Sequence, residues 1–508
     1  MKTISRNEQI INKKETGSYR IGICEVLPKI TEFDSSATKR SYAYGAIITL
    51  LILCTLVLSA PAQPVQLDMQ VFAQRRAGFM AQMQPDAIAI FPGKPVYLRN
   101  NDVEYPYRQE SNFYYLSGFE EPESLLLLDP SAPKYTYIMY VRKRDRRRET
   151  YDGPRAGLDG AMASFKADTA LYIDDFRQTV RSFIKYDRPI YYTFGINPEM
   201  DHIMQKDIIE KRSRGNFGII DPAPLVNQMR LIKNDGDWRM GFRKAIDISA
   251  AGHIEAIKAI KPGLYEYEIQ GVFEYVFRKH GSPRNGYPCI VGSGPNSTIL
   301  HYNVNSRKMA DGDMLLMDCG AEYGYYTADI TRTVPVNGKF SREQRKIYEI
   351  VYRAQEAAMQ MVKPGIEKSA LNEKINDILG SGLQELGFIK NKNHYRMFSL
   401  HGYAHWLGID VHDVGAYTKG RESVVLEPGM VFTIEPGLYV RPDVLDKMRE
   451  QGYSEDEVEA IRKKIEKYMY IGVRIEDDIL VTENGFENLS KAVPRTIEAL
   501  EKLMAIAR

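Results

Sequence analysis

The chain contains little cysteine and tryptophan and no excess of charge of either sign. Four cysteines among 508 residues are too few for a disulfide framework, and none forms a C-x-x-C pair typical of zinc or thiol redox sites. Lys plus Arg number 68 and Asp plus Glu number 66, so the net charge of +2 predicts no nucleic-acid partner. A composition of 44% apolar and 26% charged residues excludes collagen, long disorder and a multi-span membrane protein.

Long apolar runs are also scarce, and the main one lies near the amino terminus. Residues 46–58, AIITLLILCTLVL, follow two basic residues and precede SAPA at residues 59–62, an A-x-A cleavage pattern. The run is shorter than the ~20 residues that span a bilayer. It predicts a signal peptide or membrane anchor within residues 1–62, with a buried core helix as the alternative. The predicted location is exported, periplasmic or membrane-anchored, and the alternative is cytoplasmic.

The remainder of the chain divides into two predicted domains. Residues 63–234 mix strand-like runs such as ESLLLLDP with helical stretches such as residues 69–84, which indicates an α/β domain. The basic run VRKRDRRRE at residues 141–149 has no interleaved aromatic residues, so we interpret it as a solvated or ion-paired loop. Residues 235–508 form the second domain. Its main predicted helices and its charged, helix-like insertion are residues 236–260, 341–362, 367–387 and 441–467.

The segment MLLMDCGAEYGYYTADITRT contains a pair of acidic residues at matched positions. Two strand-like runs flank Tyr323 and Gly324, which is typical of a type I′ hairpin. Pairing about that turn makes partner numbers sum to 647, so Asp318 lies opposite Asp329. Their Cβ atoms are then ~5 Å apart, and like charges that close destabilise a sheet unless a cation lies between them. An accidental pair is the alternative.

Histidines are concentrated in one segment. Four of the eight fall between His394 and His412, and HGYAHWLGIDVHDVG carries His401, His405 and His412. This enrichment favours a metal or proton-transfer site over isolated structural histidines. The spacing of His401 and His405 matches the zincin motif H-E-x-x-H, but Gly402 occupies the place of the catalytic glutamate, which excludes that class.

Two further acidic residues lie on strand-like runs. Glu435 lies at the predicted strand end within MVFTIEPGLY, and Glu476 lies in YIGVRIEDDILVT, where an ion pair with Arg474 is the alternative interpretation. With Asp318, Asp329 and one histidine they make an oxygen-rich set that suits two hard divalent ions, Mn²⁺ before Zn²⁺. Two adjacent ions lower the pKa of a shared water, so the set predicts hydrolysis.

The order of these motifs resembles that of a known family. D-(10 residues)-D, HGxxHxxG, IEPG and RIED occur in this order in the pita-bread metallopeptidases, and among them in aminopeptidase P, the Xaa-Pro aminopeptidases. EYPYRQESNFYYLSGFEEPES (residues 104–124) and IVGSGPNSTILHY (residues 290–302) extend the resemblance. It implies an α+β fold, with a pita-bread catalytic domain preceded by an α/β creatinase-like amino-terminal domain.

The resemblance also implies a role for each matched residue. The implied metal ligands are Asp318, Asp329, His405, Glu435 and Glu476. Glu435 would also accept a proton from the attacking water, and His412 would stabilise the oxyanion. His301 and His401 would line the substrate site, Arg474 would orient Asp329 and other carboxylates, and Tyr439 matches an active-site tyrosine. The implied partners are peptides with proline at position two and further copies of this chain in a dimer or tetramer.

Three alternatives to an Xaa-Pro aminopeptidase stay open. A prolidase would keep the fold and metals but cleave only Xaa-Pro dipeptides. A non-catalytic pita-bread binding protein is disfavoured because such proteins lose ligands, and all five are present. A creatinase-type C–N hydrolase is disfavoured because it does not need this metal set.

Overall fold

The structure is a computed structural model that describes residues 67–183, 188–211 and 218–506. The predicted leader, residues 1–62, lies outside the described residues. In the part of the chain that is described, no helix combines the length and apolar character needed to cross a bilayer. The predicted exported, periplasmic or membrane-anchored location is corrected to this extent: the described residues supply no membrane-spanning helix for it.

The amino-terminal half is built on one mixed sheet with helices on both faces. Its helices are α1 (Met69–Met80), α2 (Ser111–Ser117), α3 (Arg146–Asp152), α4 (Gly157–Ala163), α5 (Phe176–Phe183), α6 (Pro198–Lys211) and α7 (Ala223–Leu231), with a 3-10 turn at Ile173–Asp175. Its strands are β1 (Ile88–Pro92), β2 (Leu98–Asn100), β3 (Val103–Glu104), β4 (Leu125–Leu128), β5 (Tyr137–Val141), β6 (Thr169–Tyr172), β7 (Ile190–Tyr192) and β8 (Ile219–Ile220). The sheet order is β6-β5-β4-β1-β7-β8, and β2 pairs with β3 separately.

Alternation along the strands gives this sheet two apolar faces. On β1, Ile88 and Ile90 pack with α5 and α6 side chains such as Phe176 and Met204, whereas Phe91 packs in the core with Phe79 of α1. Strands buried on both faces read as continuous apolar runs, and β4 is LLLL. The predicted α/β character of this half is confirmed.

The carboxyl-terminal half combines short sheets with paired helices. Its helices are α8 (Asp235–Met240), α9 (Phe242–Ala259), α10 (Glu266–Lys279), α11 (Arg342–Met359), α12 (Lys368–Glu385), α13 (Val444–Glu450), α14 (Glu455–Ile465) and α15 (Ile497–Ile506), with 3-10 turns at Gly294–Thr298, Lys392–Met397 and Glu466–Tyr468. Its strands are β9 (Arg284–Asn285), β10 (Ile290–Ser293), β11 (Met314–Asp318), β12 (Ala321–Tyr323), β13 (Tyr326–Thr327), β14 (Thr331–Pro335), β15 (Thr418–Lys419), β16 (Glu422–Ser423), β17 (Val431–Ile434), β18 (Gly437–Tyr439), β19 (Gly472–Arg474), β20 (Asp477–Thr482) and β21 (Gly485–Asn488). The sheets are β10-β11-β14, β13-β12-β9, β17-β20-β21, β18-β19 and β15-β16.

Most predicted helices are present with small changes at their ends. The helix predicted over residues 236–260 is divided into α8 and α9, because Gly241 adopts a φ of 120° between them. A Cβ at this glycine would also lie 2.6 Å from the ring of Tyr323. The charged insertion folds as α13 and α14 between β18 and β19. The domain boundary near residue 235 stays a prediction.

The register of the acidic hairpin differs from the prediction by two residues. Tyr323 pairs with Tyr326, so the two turn residues are Gly324 and Tyr325, with φ values of 58° and 71°. Positive φ at both positions is the type I′ geometry that was predicted, one residue further along. Asp318 consequently pairs with Thr331, and Asp329 is its diagonal rather than its direct neighbour. A shift of two keeps both carboxylates on one face, because side chains alternate with period two.

Candidate metal centre

The predicted ligands lie where strands end. Asp318 is the last residue of β11, Glu435 follows β17, and Glu476 lies between β19 and β20. An isolated bridge pairs Glu476 with Thr331 of β14, and the Thr331 hydroxyl donates to Glu476 Oε2 at 2.6 Å. Separate sheets therefore deliver carboxylates from distant parts of the sequence to one place.

The imidazole of His405 lies at the centre of this cluster. Its Nε2 is 3.3 Å from Asp329 Oδ2, 3.6 Å from Glu435 Oε1 and 3.9 Å from Glu476 Oε1. Ligand atoms of Asp329, His405 and Glu476 all lie within 4.8 Å of one another, and the three side chains are buried. This is the compact donor set that a metal ion needs.

The other ring nitrogen of His405 fixes its tautomer. Nδ1 lies 3.1 Å from the main-chain carbonyl of Trp406, an acceptor, so Nδ1 carries the hydrogen and Nε2 presents its lone pair to the cluster. A metal-binding histidine commonly donates its second N–H to a carbonyl or carboxylate in this way. The orientation of His405 therefore fits a metal ligand.

Asp318 joins the cluster through a tyrosine that sequence analysis missed. The hydroxyl of Tyr287 lies 2.6 Å from Asp318 Oδ1 and 2.7 Å from Asp329 Oδ1. A hydroxyl has one hydrogen, so it donates to one of these carboxylates at a time. Tyr287 lies just before β10, which pairs with β11, and assigning that strand pair from sequence would have brought it near Asp318.

The electrostatics of the cluster suit a bound cation. Burial and the neighbouring carboxylates raise the pKa of Asp329 and of Glu476 well above the usual range, and burial and Glu476 raise the pKa of Glu435 to about 8. Burial also opposes ionisation of Asp318, but Arg474 holds the pKa of that carboxyl below its usual value. Oxygen donors that repel one another at this spacing fit divalent ions, which remove the repulsion.

Arg474 forms its ion pair with Asp318, whereas the resemblance implied Asp329 as its main partner. The guanidinium also donates to the hydroxyl of Tyr439 at 3.0 Å. That hydroxyl lies 2.7 Å from His401 Nε2, and its own hydrogen is free to point at the imidazole because Arg474 supplies the other contact. Arg474, Tyr439 and His401 thus form one chain of contacts that starts at Asp318.

His401 is held as a neutral imidazole at the edge of the cluster. Its Nδ1 donates to the carbonyl of Gly402 and lies 3.5 Å from Glu435 Oε2. Burial and Arg474 lower the pKa of His401 to about 4. The ring therefore accepts a hydrogen bond from Tyr439 and stays uncharged at neutral pH.

The remaining two histidines border the same space. The ring of His412 stacks on His405 with centroids 4.0 Å apart and an interplanar angle of 25°. Burial, His405 and His301 lower the pKa of His412 to about 4. His301 is exposed and lies within electrostatic reach of both His401 and His412. The structure thus brings His401, His405 and His412 together with the four carboxylates, Arg474 and Tyr439, and the roles of these residues and of His301 stay predictions.

A buried carboxylate and histidine cluster of this kind, in a two-part α/β and α+β fold, defines a metal-dependent hydrolase. The model of metallopeptidase family M24 matches residues 241–483, and the model of the aminopeptidase P N-terminal domain matches residues 72–199. The chain belongs to metallopeptidase family M24, with the two-domain organisation of aminopeptidase P.

Individual relatives agree over nearly their whole length. The chain is 39% identical over 457 residues to the Xaa-Pro aminopeptidase of Escherichia coli, an alignment that covers 87% of this chain and 99% of the relative. It matches the solved aminopeptidase PepP of Pseudomonas aeruginosa with a TM-score of 0.80 and 40% identity, covering 87% and 99% of the two chains. Zinc-substituted E. coli aminopeptidase P in complex with product matches with a TM-score of 0.79 and 38% identity over the same shares. The predicted family and fold class are confirmed.

Proposed function

We propose that this chain is an Xaa-Pro aminopeptidase that removes the amino-terminal residue from peptides with proline at position two. The observation that carries the proposal is the convergence of Asp329, Glu435 and Glu476 on the Nε2 atom of His405, with Asp318 linked through Tyr287. The E. coli relative is an Xaa-Pro aminopeptidase and aligns over 99% of its own length, which does not favour the prolidase or binding-protein alternatives.

The proposed cofactor is a pair of Mn²⁺ ions. Four carboxylates and one imidazole would hold them: Asp318, Asp329, Glu435, Glu476 and His405. Oxygen-rich sets suit Mn²⁺, whereas a zinc site is expected to carry more nitrogen or sulfur ligands. When bound, divalent ions supply Lewis-acid activation of water and of the peptide carbonyl.

Glu435 is the proposed proton acceptor. One of its oxygens faces His405 and the other faces His401, so the carboxylate spans from the cluster to its histidine-lined edge. A base must lie within hydrogen-bonding reach of the proton that it accepts, and this position meets that condition for a water entering between the two histidines. The proton then passes from Glu435 to the departing proline nitrogen.

The histidines at the rim would bind and orient the peptide. His412 stacks on His405 and would donate to the oxygen of the tetrahedral intermediate, which stabilises negative charge as it develops. His301 and His401 would contact the substrate on either side of the scissile bond. Tyr439, fixed by Arg474, keeps His401 in one tautomer.

The proposed preference for proline has a physical basis. An Xaa-Pro amide has no N–H, so a peptidase that must hold that hydrogen leaves its own acceptor unpaired. A site that binds the proline ring in an apolar slot does not need that N–H, so it leaves no acceptor unpaired. The same reasoning predicts poor cleavage of an otherwise identical alanine peptide.

The test is hydrolysis of Arg-Pro-Pro, Arg-Ala-Ala and Arg-Pro by the full chain, with Mn²⁺, with Zn²⁺ and with chelator. We expect release of arginine from Arg-Pro-Pro alone, loss of activity with chelator and its return with Mn²⁺. Cleavage of Arg-Pro alone would move the assignment to prolidase. Absence of turnover despite bound metal would favour a binding protein. The implied dimer or tetramer stays a prediction that light scattering on the same sample tests.

A further inference from the structure

The loop that carries His412 is held by ion pairs with residues that precede the catalytic domain in the sequence. This loop, residues 406–413, has the sequence WLGIDVHD and contains no regular helix or strand. The N–H of Asp413 donates to the carbonyl of Trp406 at 2.8 Å, which closes the loop at its base. Nothing in that closure alone fixes the imidazole of His412, which is exposed.

Asp413 anchors the loop from below. Its Oδ1 pairs with the guanidinium of Arg230, and its Oδ2 accepts from Lys233 Nζ at 2.8 Å. All three side chains are at most 2% exposed. Burial alone would raise the pKa of Asp413, but Arg230 and Lys233 hold it below its usual value, so the group is a carboxylate. Arg230 lies on α7 and Lys233 just after it, in the segment between the two domains.

The backbone of Gly408 packs closely against these ion pairs. A Cβ on Gly408 would lie 2.1 Å from Asp413 Oδ2 and 2.9 Å from Lys233 Nζ. The carbonyl of Gly408 meanwhile accepts from the N–H of Thr327 on β13 at 2.9 Å. The glycine lets the loop lie directly on the buried charges.

The amino-terminal half holds the other side of the loop. Arg108 donates to the carbonyl of Ile409 at 2.7 Å, and the hydroxyl of Ser111 donates to Asp410 Oδ1 at 2.6 Å. Arg230 also reaches Asp410 Oδ2 at 2.7 Å and Asn112 Oδ1 at 2.6 Å. Both carboxylates of the loop, Asp410 and Asp413, therefore have partners outside the loop.

We propose that Arg230 and Lys233, acting through Asp413, are positioning residues that hold the imidazole of His412 against His405. The inference rests on the proposed function, because it assigns His412 a place in that reaction. The adjacent side chains of Asp413 and His412 point in different directions. Asp413 points at the buried Arg230 and Lys233, and His412 stacks on His405. The amino-terminal domain and the segment after it would then contribute to turnover as well as to the shape of the fold.

The kinetic test uses Arg230→Met and Lys233→Met in the full, metal-loaded chain, with Asp413→Asn as a second route to the same loss. A misplaced catalytic group costs ~10- to 100-fold, and we expect that loss in kcat for Arg-Pro-Pro with little change in KM and in bound metal. The matched control is Arg243→Met, which removes an exposed arginine with two contacts to Glu487, at 3.1 and 3.0 Å. It should turn over at the wild-type rate.

A double-mutant cycle separates positioning from general stability. In a His412→Ala background, Arg230→Met should cause almost no further loss of kcat, because its effect acts through the missing imidazole. Independent, multiplicative losses in the two backgrounds would overturn the proposal. So would full kcat in Arg230→Met or in Asp413→Asn.

A readout that does not need turnover keeps this test separate from that of the proposed function. The chain has eight histidines, so selective ¹³Cε1-histidine NMR of the zinc-loaded protein gives few signals, and His412→Ala assigns the one of interest. We expect Arg230→Met or Asp413→Asn to move that signal toward the position of a solvated, unstacked imidazole, while Arg243→Met leaves it unchanged. A His412 signal unchanged in both variants would refute the inference even if no peptide is cleaved.

Discussion

Removing the guanidinium of Arg332 should destabilise the catalytic half while leaving every proposed metal-ligand side chain in place. Arg332 and its partner Asp477 are both 0% exposed and lie 2.7 Å apart. The guanidinium also donates to main-chain carbonyls of Thr331, Glu476, Val493 and Pro494 at distances from 2.6 to 3.0 Å. It therefore ties β14 to β20 and to the segment before α15.

The size of the effect follows from what Arg332→Met leaves behind. Breaking a buried ion pair costs ~3–5 kcal/mol, and each buried carbonyl left without a donor adds ~1 kcal/mol or more. Asp477 keeps Gln355 at 2.9 Å and Arg495 at 3.4 Å, which offsets part of the charge penalty. These contributions set a lower bound on the net loss of about 4 kcal/mol. At ~2.1 cal/mol/K per residue, this lowers Tm by ~4 °C if all described residues unfold together and by ~7 °C if the catalytic half unfolds alone.

Differential scanning calorimetry of the metal-loaded variant measures this directly. Arg345→Met is the matched control, because Arg345 pairs at the surface with Glu498 and Glu501 at 3.4 and 3.3 Å. Such exposed pairs contribute ~0–1 kcal/mol, so its Tm should fall by ~2 °C or less. An Arg332→Met protein that melts within that same interval would refute the reasoning.

Two further substitutions test the centre itself. Glu435→Gln keeps the shape of the side chain but removes the proton acceptor. The kcat for Arg-Pro-Pro should therefore fall by ~10²- to 10⁴-fold or more, while Tm stays close to that of wild type. Retained turnover in a rigorously purified sample would contradict the assigned role. Tyr287→Phe removes the hydroxyl between Asp318 and Asp329 and should weaken metal binding ~10- to 100-fold in a competition titration with a metal indicator. Tyr107→Phe, which removes a hydroxyl that donates to the Lys94 carbonyl at 3.1 Å, is the control and should bind metal as wild type does.

The candidate ligand set could be proposed from the sequence because each residue in it lies in a short motif with a marked local pattern. The strand that ends just before Glu435, for example, is set by neighbouring residues within a few positions. Chemistry then limits what four clustered carboxylates and a histidine can do. The family resemblance added roles that residue types alone do not specify.

Other parts of the site depend on contacts between distant residues and could not be predicted. The hairpin register shifted by two because Gly324 and Tyr325 both accept positive φ, and the sequence offers Tyr323-Gly324 equally well. Tyr287 reaches the centre only through the pairing of β10 with β11. The contacts of Asp413 with Arg230 and Lys233 join residues about 180 positions apart, with no local pattern to mark them.

The segment VRIEDD explains why adjacent acidic residues have unrelated roles. Side chains alternate between the two faces of an extended strand. Arg474 and Glu476 therefore face the centre. Two threonine hydroxyls of β14 donate to this segment: Thr333 to the Arg474 carbonyl at 2.9 Å and Thr331 to Glu476 Oε2 at 2.6 Å.

Asp477 faces the other way, to Arg332, and Asp478 returns to the first face and accepts from the N–H of Asp329 at 3.3 Å. One acidic residue thus serves the candidate centre, the next serves the core, and the third supports a ligand. The sequence motif does not distinguish these three acidic residues. Their roles follow from the face of the strand on which each side chain lies.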